Sequence, residues 1–316
     1  IAPALAVRPP HDAPRLARML LPVCGWAQGL ACLTALEQAA GQPAGSATQA
    51  ARALLAMAEA AARLVWHGAL DWPRLLGRPV EIAPLRLAQT ALDALSAALW
   101  DFGDPLAPEI CAAPLDRAVR PAVRLAEAVR ACVLPGAPEA EADAGRWADW
   151  VATSAAPLAE LIRRAEALGL APIAPDGPVP PLAGVAAALD CDAGFSRAPH
   201  AGGLPADPSR SRGIPLALAS WAQNLGPVGA RYLETTLAAQ WIAAQLAALT
   251  PPRIETLSSG EAVGAACVAT LRGPLVHLVA LDRPDLSQAR LVRFRAVAPT
   301  EWMLHPSGAL ARTLGA

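Results

Sequence analysis

Apolar residues recur at helical intervals along most of the first 250 positions of this chain. In residues 13–41 the series is Leu16, Leu20, Trp26, Leu30, Leu33 and Leu36, interrupted at Pro22, and it predicts a broken helix. Residues 47–69 are almost all Ala and Leu and predict a long helix with Ser46 or Thr48 as its cap. The same spacing predicts helices over 84–102, over 115–133 with Pro114 and Pro121 at its start, over 143–169 with Trp147 and Trp150, and over 226–249. Pro- and Gly-rich breaks cover Leu134–Gly145, Leu170–Gly184 and Arg197–Pro215. The last is long for a connector and carries Ser209, Arg210 and Arg212, which marks it as a candidate functional loop.

The period changes after Gly260. "AACVATLRGPLVHLVALD" is rich in β-branched residues and breaks at Arg272-Gly273-Pro274. "ARLVRFRAVAPTEW" alternates Leu and Phe with Arg. Together they predict a β-hairpin and a third strand. The fold class is therefore mainly α with a small antiparallel β-sheet near the C-terminus (α+β). It is expected as one domain over 1–316, helical over 13–250 and β-rich over 260–300, with no internal repeat.

Composition narrows the function classes. The chain has 316 residues, 54% of them hydrophobic and only 17% charged, and its formal net charge is -1. All 26 basic residues are Arg, and none forms a run, so nucleic acid is not an expected partner. The longest uncharged apolar stretch, Thr235–Pro252, is Ala-rich and carries Gln240 and Gln245, which predicts a buried helix and no membrane span. Ile1–Pro10 shows no secretory signal, and the chain starts on Ile, so its initiator was removed or lies upstream. The six cysteines (Cys24, Cys32, Cys111, Cys132, Cys191, Cys267) form no CxxC pair, which predicts free thiols and a cytoplasmic location.

Few residues carry chemistry on their own. Cys24 reads in two ways: a thiolate favoured by a helix N-terminus, with Gly25 opening the backbone to a ligand, or a small core residue. Cys32 lies eight residues on, about 12 Å along a helix, too far to share an ion with Cys24, and reads as core. Arg272 at the hairpin tip is either an anion-holding fork or a solvated turn residue. His277, between Val276 and Leu278, reads as a satisfied core histidine. GxSxG, GxGxxG and P-loop motifs are all missing.

The order of these features resembles the large subunit of nickel–iron hydrogenases, and more closely the HupK/HoxV family of hydrogenase expression/formation proteins. "PVCGWAQGLA" lies over the large-subunit motif RxCGxCxxxH: Cys24 and Gly25 match, Pro22 replaces the Arg, Ala27 the second Cys and Ala31 the His. The variant CGxAQ, which ends on Gln28, is what the maturation relatives look like. "GEAVGAACVATLRGPLVHLVALD" resembles GE…PRGxxxH through Gly260, Glu261, Arg272, Gly273 and His277. "VAPTEWM" resembles VxPTxWN through Pro299, Thr300 and Trp302, with Met303 for the Asn. "LVWHGALDWPRLLGRP" and "FSRAPHAGGLPADPSRSR" look like stretches of the maturation relatives. The resemblance covers about Leu21 to Leu310.

The resemblance implies a large-subunit-like fold without hydrogenase activity. Of the family's four thiolates only Cys24 has a counterpart here, at the position of a terminal nickel ligand. "HPSGALARTLGA" stands where the family's DPCxxCxxH would be, and a C-terminal segment beyond it is one explanation. The implied role is a non-enzymatic scaffold. It transiently holds iron, as a cyanide- and carbonyl-ligated fragment, for transfer to the apo large subunit, with that subunit and other maturation proteins as partners. Cys24 is then the metal ligand, and Arg272, His277, Gln28, Pro299 and Thr300 surround the cargo. Two alternatives stand beside it: a metal-free interaction protein that keeps the fold and docks maturation partners, and a degenerate enzyme with new chemistry.

Overall fold

A computed structural model describes residues 9–107, 112–139, 141–169, 177–192, 194–201, 206–207, 218, 221–222, 225–308 and 311–312. Ser209, Arg210 and Arg212 of the candidate loop, and Cys111, lie outside the described residues.

Pro22 divides the first helical stretch as expected. Helix α1 (Ala13–Leu20) ends before it, a 3-10 turn occupies Pro22–Cys24, and α2 (Gly25–Ala39) leaves at 90° to the preceding segment. Helix α2 is buried on all sides, from Ala27 to Glu37 without a break, and forms the centre of the molecule. Gly25 has a packing role: a Cβ there would meet the Arg18 carbonyl oxygen at 3.0 Å, so the glycine lets α1 cross closely. Leu20, counted among the helical core positions, is 41% exposed.

Helix α3 (Ser46–Trp66) follows, and the helical run expected over 47–69 extends past its end. The chain continues through a π turn (His67–Asp71) into the short α4 (Trp72–Leu75). The cap prediction fails too. Gly45 is the N-cap and offers no side chain, while Thr48 Oγ1 accepts the Ala112 N–H at 3.2 Å. Helices α5 (Ala83–Trp100) and α6 (Val119–Val133) pack with α3. The predicted helix over 143–169 is two, α7 (Ala144–Thr153) and α8 (Pro157–Ala167), because Pro157 opens a new first turn. Helix α9 (Leu182–Cys191) lies partly within the stretch read as a break, just after Pro180-Pro181, and α10 is Gly226–Ala248. Among the described residues no single helix is long and apolar enough to cross a membrane.

The sheet has four strands where three were expected: β1 (Glu255–Ser258), β2 (Val263–Thr270), β3 (Gly273–Leu281) and β4 (Leu291–Val297), antiparallel in the order β1-β2-β3-β4. The added strand β1 is four residues long, too short to show a period. Strand β3 alternates between two cores. Leu275 and Val279 join the cluster around α2 and α3, while Val276 and Leu278 pack with Leu182, Val185 and Leu189 of α9. Burial on both faces explains why β3 reads as a continuous apolar run. The alternating Arg of β4 also has a place: Arg293 pairs with Asp190, and Arg295 donates to the Leu189 and Asp190 carbonyls at the C-terminus of α9. The short helix α11 (Pro299–Met303) closes the sheet, with Trp302 buried in the α9 core.

Candidate functional site

Four separate stretches converge on one cavity of about 320 Å³. The Pro22–Cys24 turn supplies Val23 and Cys24, and the start of α2 supplies Ala27 and Gln28. Helix α3 supplies Glu59 and Arg63, the β2–β3 turn Thr270 and Arg272, and the start of α11 Pro299, Thr300 and Glu301. The cavity thus brings together Cys24, Gln28, Arg272, Pro299 and Thr300, residues spread over most of the chain. His277 does not line it. Cys32 is fully buried in α2, as expected.

Cys24 is the N-cap of α2, half-buried, and unpaired like the other described cysteines. The expectation that the helix end stabilises its thiolate needs correction. The first free N–H groups of α2 are already taken by Glu59, which accepts from Trp26 N at 2.8 Å and from Ala27 N at 3.0 Å. Burial and then the Glu59 charge push the Cys24 thiol above its ordinary range, against a hydrogen bond from Gln28 and the charges of Arg272 and Arg63. Burial likewise raises Glu59, opposed by those two backbone N–H groups and by Arg63 and Arg18. At neutral pH Cys24 therefore rests as a thiol.

Glu59 and Arg63 were not singled out from the sequence, though a signal exists. Glu59 is the one acidic residue in α3, and Arg63 follows one turn later. Arg63 donates to the Val23 carbonyl at 3.0 Å and so ties α3 to the turn that carries Cys24. Glu301 accepts from the Ala298 N–H at 2.9 Å and from the Thr300 hydroxyl at 3.0 Å. The guanidiniums of Arg63 and Arg272 enter from opposite parts of the chain, and the lining between them is largely aliphatic. Among the described residues no three His, Cys, Asp or Glu side chains converge to hold a bare metal ion.

His277 is fully buried on β3, with Nε2 2.7 Å from Gln28 Oε1 and its ring edge-on to Phe294 at 5.0 Å. The core reading holds, with one exception: Nδ1 has no partner. Burial lowers the pKa from 6.5 to about 3. The native state then binds fewer protons than the unfolded chain between these values, so stability is kept above about pH 6.5 and lost as pH falls toward 3. The loss reaches up to about 1.4 kcal/mol per pH unit. Urea unfolding midpoints should drop through this window, and less steeply in His277→Gln; equal slopes would contradict the assignment.

Comparison with known proteins agrees with this architecture. No family model matches the chain. It is 31% identical over 307 residues to the hydrogenase expression/formation protein HupK of Azotobacter vinelandii, which covers 94% of this chain and 76% of that protein. It is 36% identical over 85 residues to HupK of Bradyrhizobium diazoefficiens, 27% of this chain and 22% of that one. In structure it is similar to the Ni-Fe-Se hydrogenase of D. vulgaris Hildenborough (TM-score 0.60, 13% identity, 99% of this chain and 85% of that one). It is also similar to an NAD+-reducing [NiFe]-hydrogenase (TM-score 0.55, 14% identity, 98% and 82%). The structural likeness shows the hydrogenase large-subunit fold alone. The sequence likeness extends along nearly the whole chain, and by it the chain belongs to the HupK family of hydrogenase expression/formation proteins.

Proposed function

We propose that this protein is a non-enzymatic scaffold in nickel–iron hydrogenase maturation, and that the Cys24 cavity transiently holds an iron fragment carrying cyanide and carbonyl ligands. The observation that carries the reading is the lining of that cavity: one thiol, two guanidiniums, two carboxylates already engaged by backbone N–H groups, a few neutral polar groups and otherwise aliphatic walls. A bare ion needs several protein donors. A fragment that brings its own ligands needs one anchoring sulfur and surroundings matched to those ligands.

Cys24 is the anchoring sulfur in this account. Arg272 donates to a cyanide nitrogen, since the guanidinium suits anionic acceptors, and the aliphatic wall faces the carbonyl. A high thiol pKa favours release as well as restraint, because a proton competes with the metal for the sulfur. The fragment then passes to the apo large subunit, and other maturation proteins are further partners. The free thiols fit a cytoplasmic setting. In Cys24→Ser, iron that co-purifies with the wild type should be lost; retention of the full amount would contradict the role of Cys24.

A second reading, a metal-free interaction protein, is favoured by one observation. The segment leading to Cys24 leaves Leu20 41% and Val23 52% exposed at the cavity, and Met19 next to Leu20 66% exposed. Capture of maturation partners that survives Cys24→Ala, with no iron in either sample, would support it over the scaffold.

A further inference from the structure

His277 is an expensive residue for its position. Its neighbours along β3 on the same face are Leu275 and Val279, both fully buried. A leucine would suit the site, whereas the imidazole leaves Nδ1 buried without a partner. Such a group is costly to leave unpaired in a core. The return is a single contact, from Nε2 to Gln28 Oε1 at 2.7 Å.

Gln28 is itself buried and has its other end on the site: its Nε2 lies 3.6 Å from Cys24 Sγ. The two ends of one amide cannot be chosen independently. If Nε2–H of His277 donates to Oε1, the Gln28 NH2 must face the sulfur. The orphan atom is then a bare Nδ1 lone pair. The opposite tautomer would bury an unpaired N–H, the rarer kind of orphan.

We infer that His277 is a positioning residue for Cys24: from the sheet, it fixes the Gln28 amide so that its NH2 donates to the Cys24 sulfur. The hydrogen bond holds the sulfur toward the cavity and withdraws electron density from it, which weakens its grip on a bound cargo. The geometric inference needs only the apo protein; its consequence for cargo rests on the scaffold reading.

The test uses the apo protein, so that its failure is distinguishable from failure of that reading. In wild-type protein labelled with 15N-histidine, His277 should give the spectrum of a neutral Nε2–H tautomer; the Nδ1–H tautomer would overturn the proposal. The second measurement is the rate of Cys24 alkylation by iodoacetamide at fixed, mildly alkaline pH, followed by peptide mass spectrometry. Loss of a hydrogen bond to the thiolate in Gln28→Leu should slow it about fivefold. His277→Leu should slow it by a similar factor, the double variant no further, and His277→Gln, which restores an N–H near Nε2, should recover the wild-type rate. If His277→Leu fails to fold, the tautomer and the Gln28→Leu and His277→Gln rates decide. A wild-type rate in Gln28→Leu, or a slow rate in folded His277→Gln, would overturn the proposal.

Discussion

Replacing Arg52 with Leu lowers the stability of the fold by about 3–5 kcal/mol. Arg52 and Glu37 are 0% and 3% exposed and form a two-pronged pair, Nη1 to Oε2 at 2.7 Å and Nη2 to Oε1 at 2.8 Å. The pair locks α3 to α2. Removal of the guanidinium strands the Glu37 carboxylate in the core, and that desolvation, more than the lost attraction, sets the magnitude. The double variant Arg52→Leu/Glu37→Leu should regain most of the loss, because the pair as a whole is close to neutral against apolar replacements. Urea unfolding at neutral pH measures both. A loss below about 1 kcal/mol in the single variant, the range of a surface pair, would contradict the buried assignment.

Gly264→Ala should cost at the upper end of about 1–3 kcal/mol, or beyond it. A Cβ on Gly264 would lie 2.2 Å from the Ala35 carbonyl oxygen and 2.4 Å from the Ala39 nitrogen. These are backbone atoms of α2, so no rotamer change relieves the clash, and the helix must lift off β2. Separation of α2 from the sheet also lengthens the His277–Gln28 contact, which crosses the same interface. Cys24 alkylation should therefore change together with the unfolding midpoint. A Gly264→Ala protein of wild-type stability would show that α2 does not approach β2 this closely.

How much of this was legible in the sequence depends on the range of the interactions. The helical stretches and the β2–β3–β4 region show because their periods repeat over many residues. Helix α9 and strand β1 do not show. One is short, apolar and next to a Pro pair, and the other spans four residues. The motif order led to Cys24, Arg272, Pro299 and Thr300, which the fold brings to one cavity. Glu59 escaped because its value lies in capping a helix that begins far earlier in the chain, at Gly25, and its local sequence does not encode that partner. The same holds for Arg52 and Glu37, which pair across two apolar helices. Cys24 itself shows the limit of local reasoning. Its place at a helix N-terminus was readable, but the upward direction of its pKa shift comes first from its burial in the folded chain and then from a carboxylate on another helix.

The central claim, that the Cys24 sulfur holds a cyanide- and carbonyl-ligated iron fragment, is tested most directly by infrared spectroscopy of protein purified anaerobically from its native maturation background. The account predicts cyanide and carbonyl stretching bands in the wild type and none in Cys24→Ser. The same bands at full intensity in Cys24→Ser, or iron in the wild type without them, would contradict it.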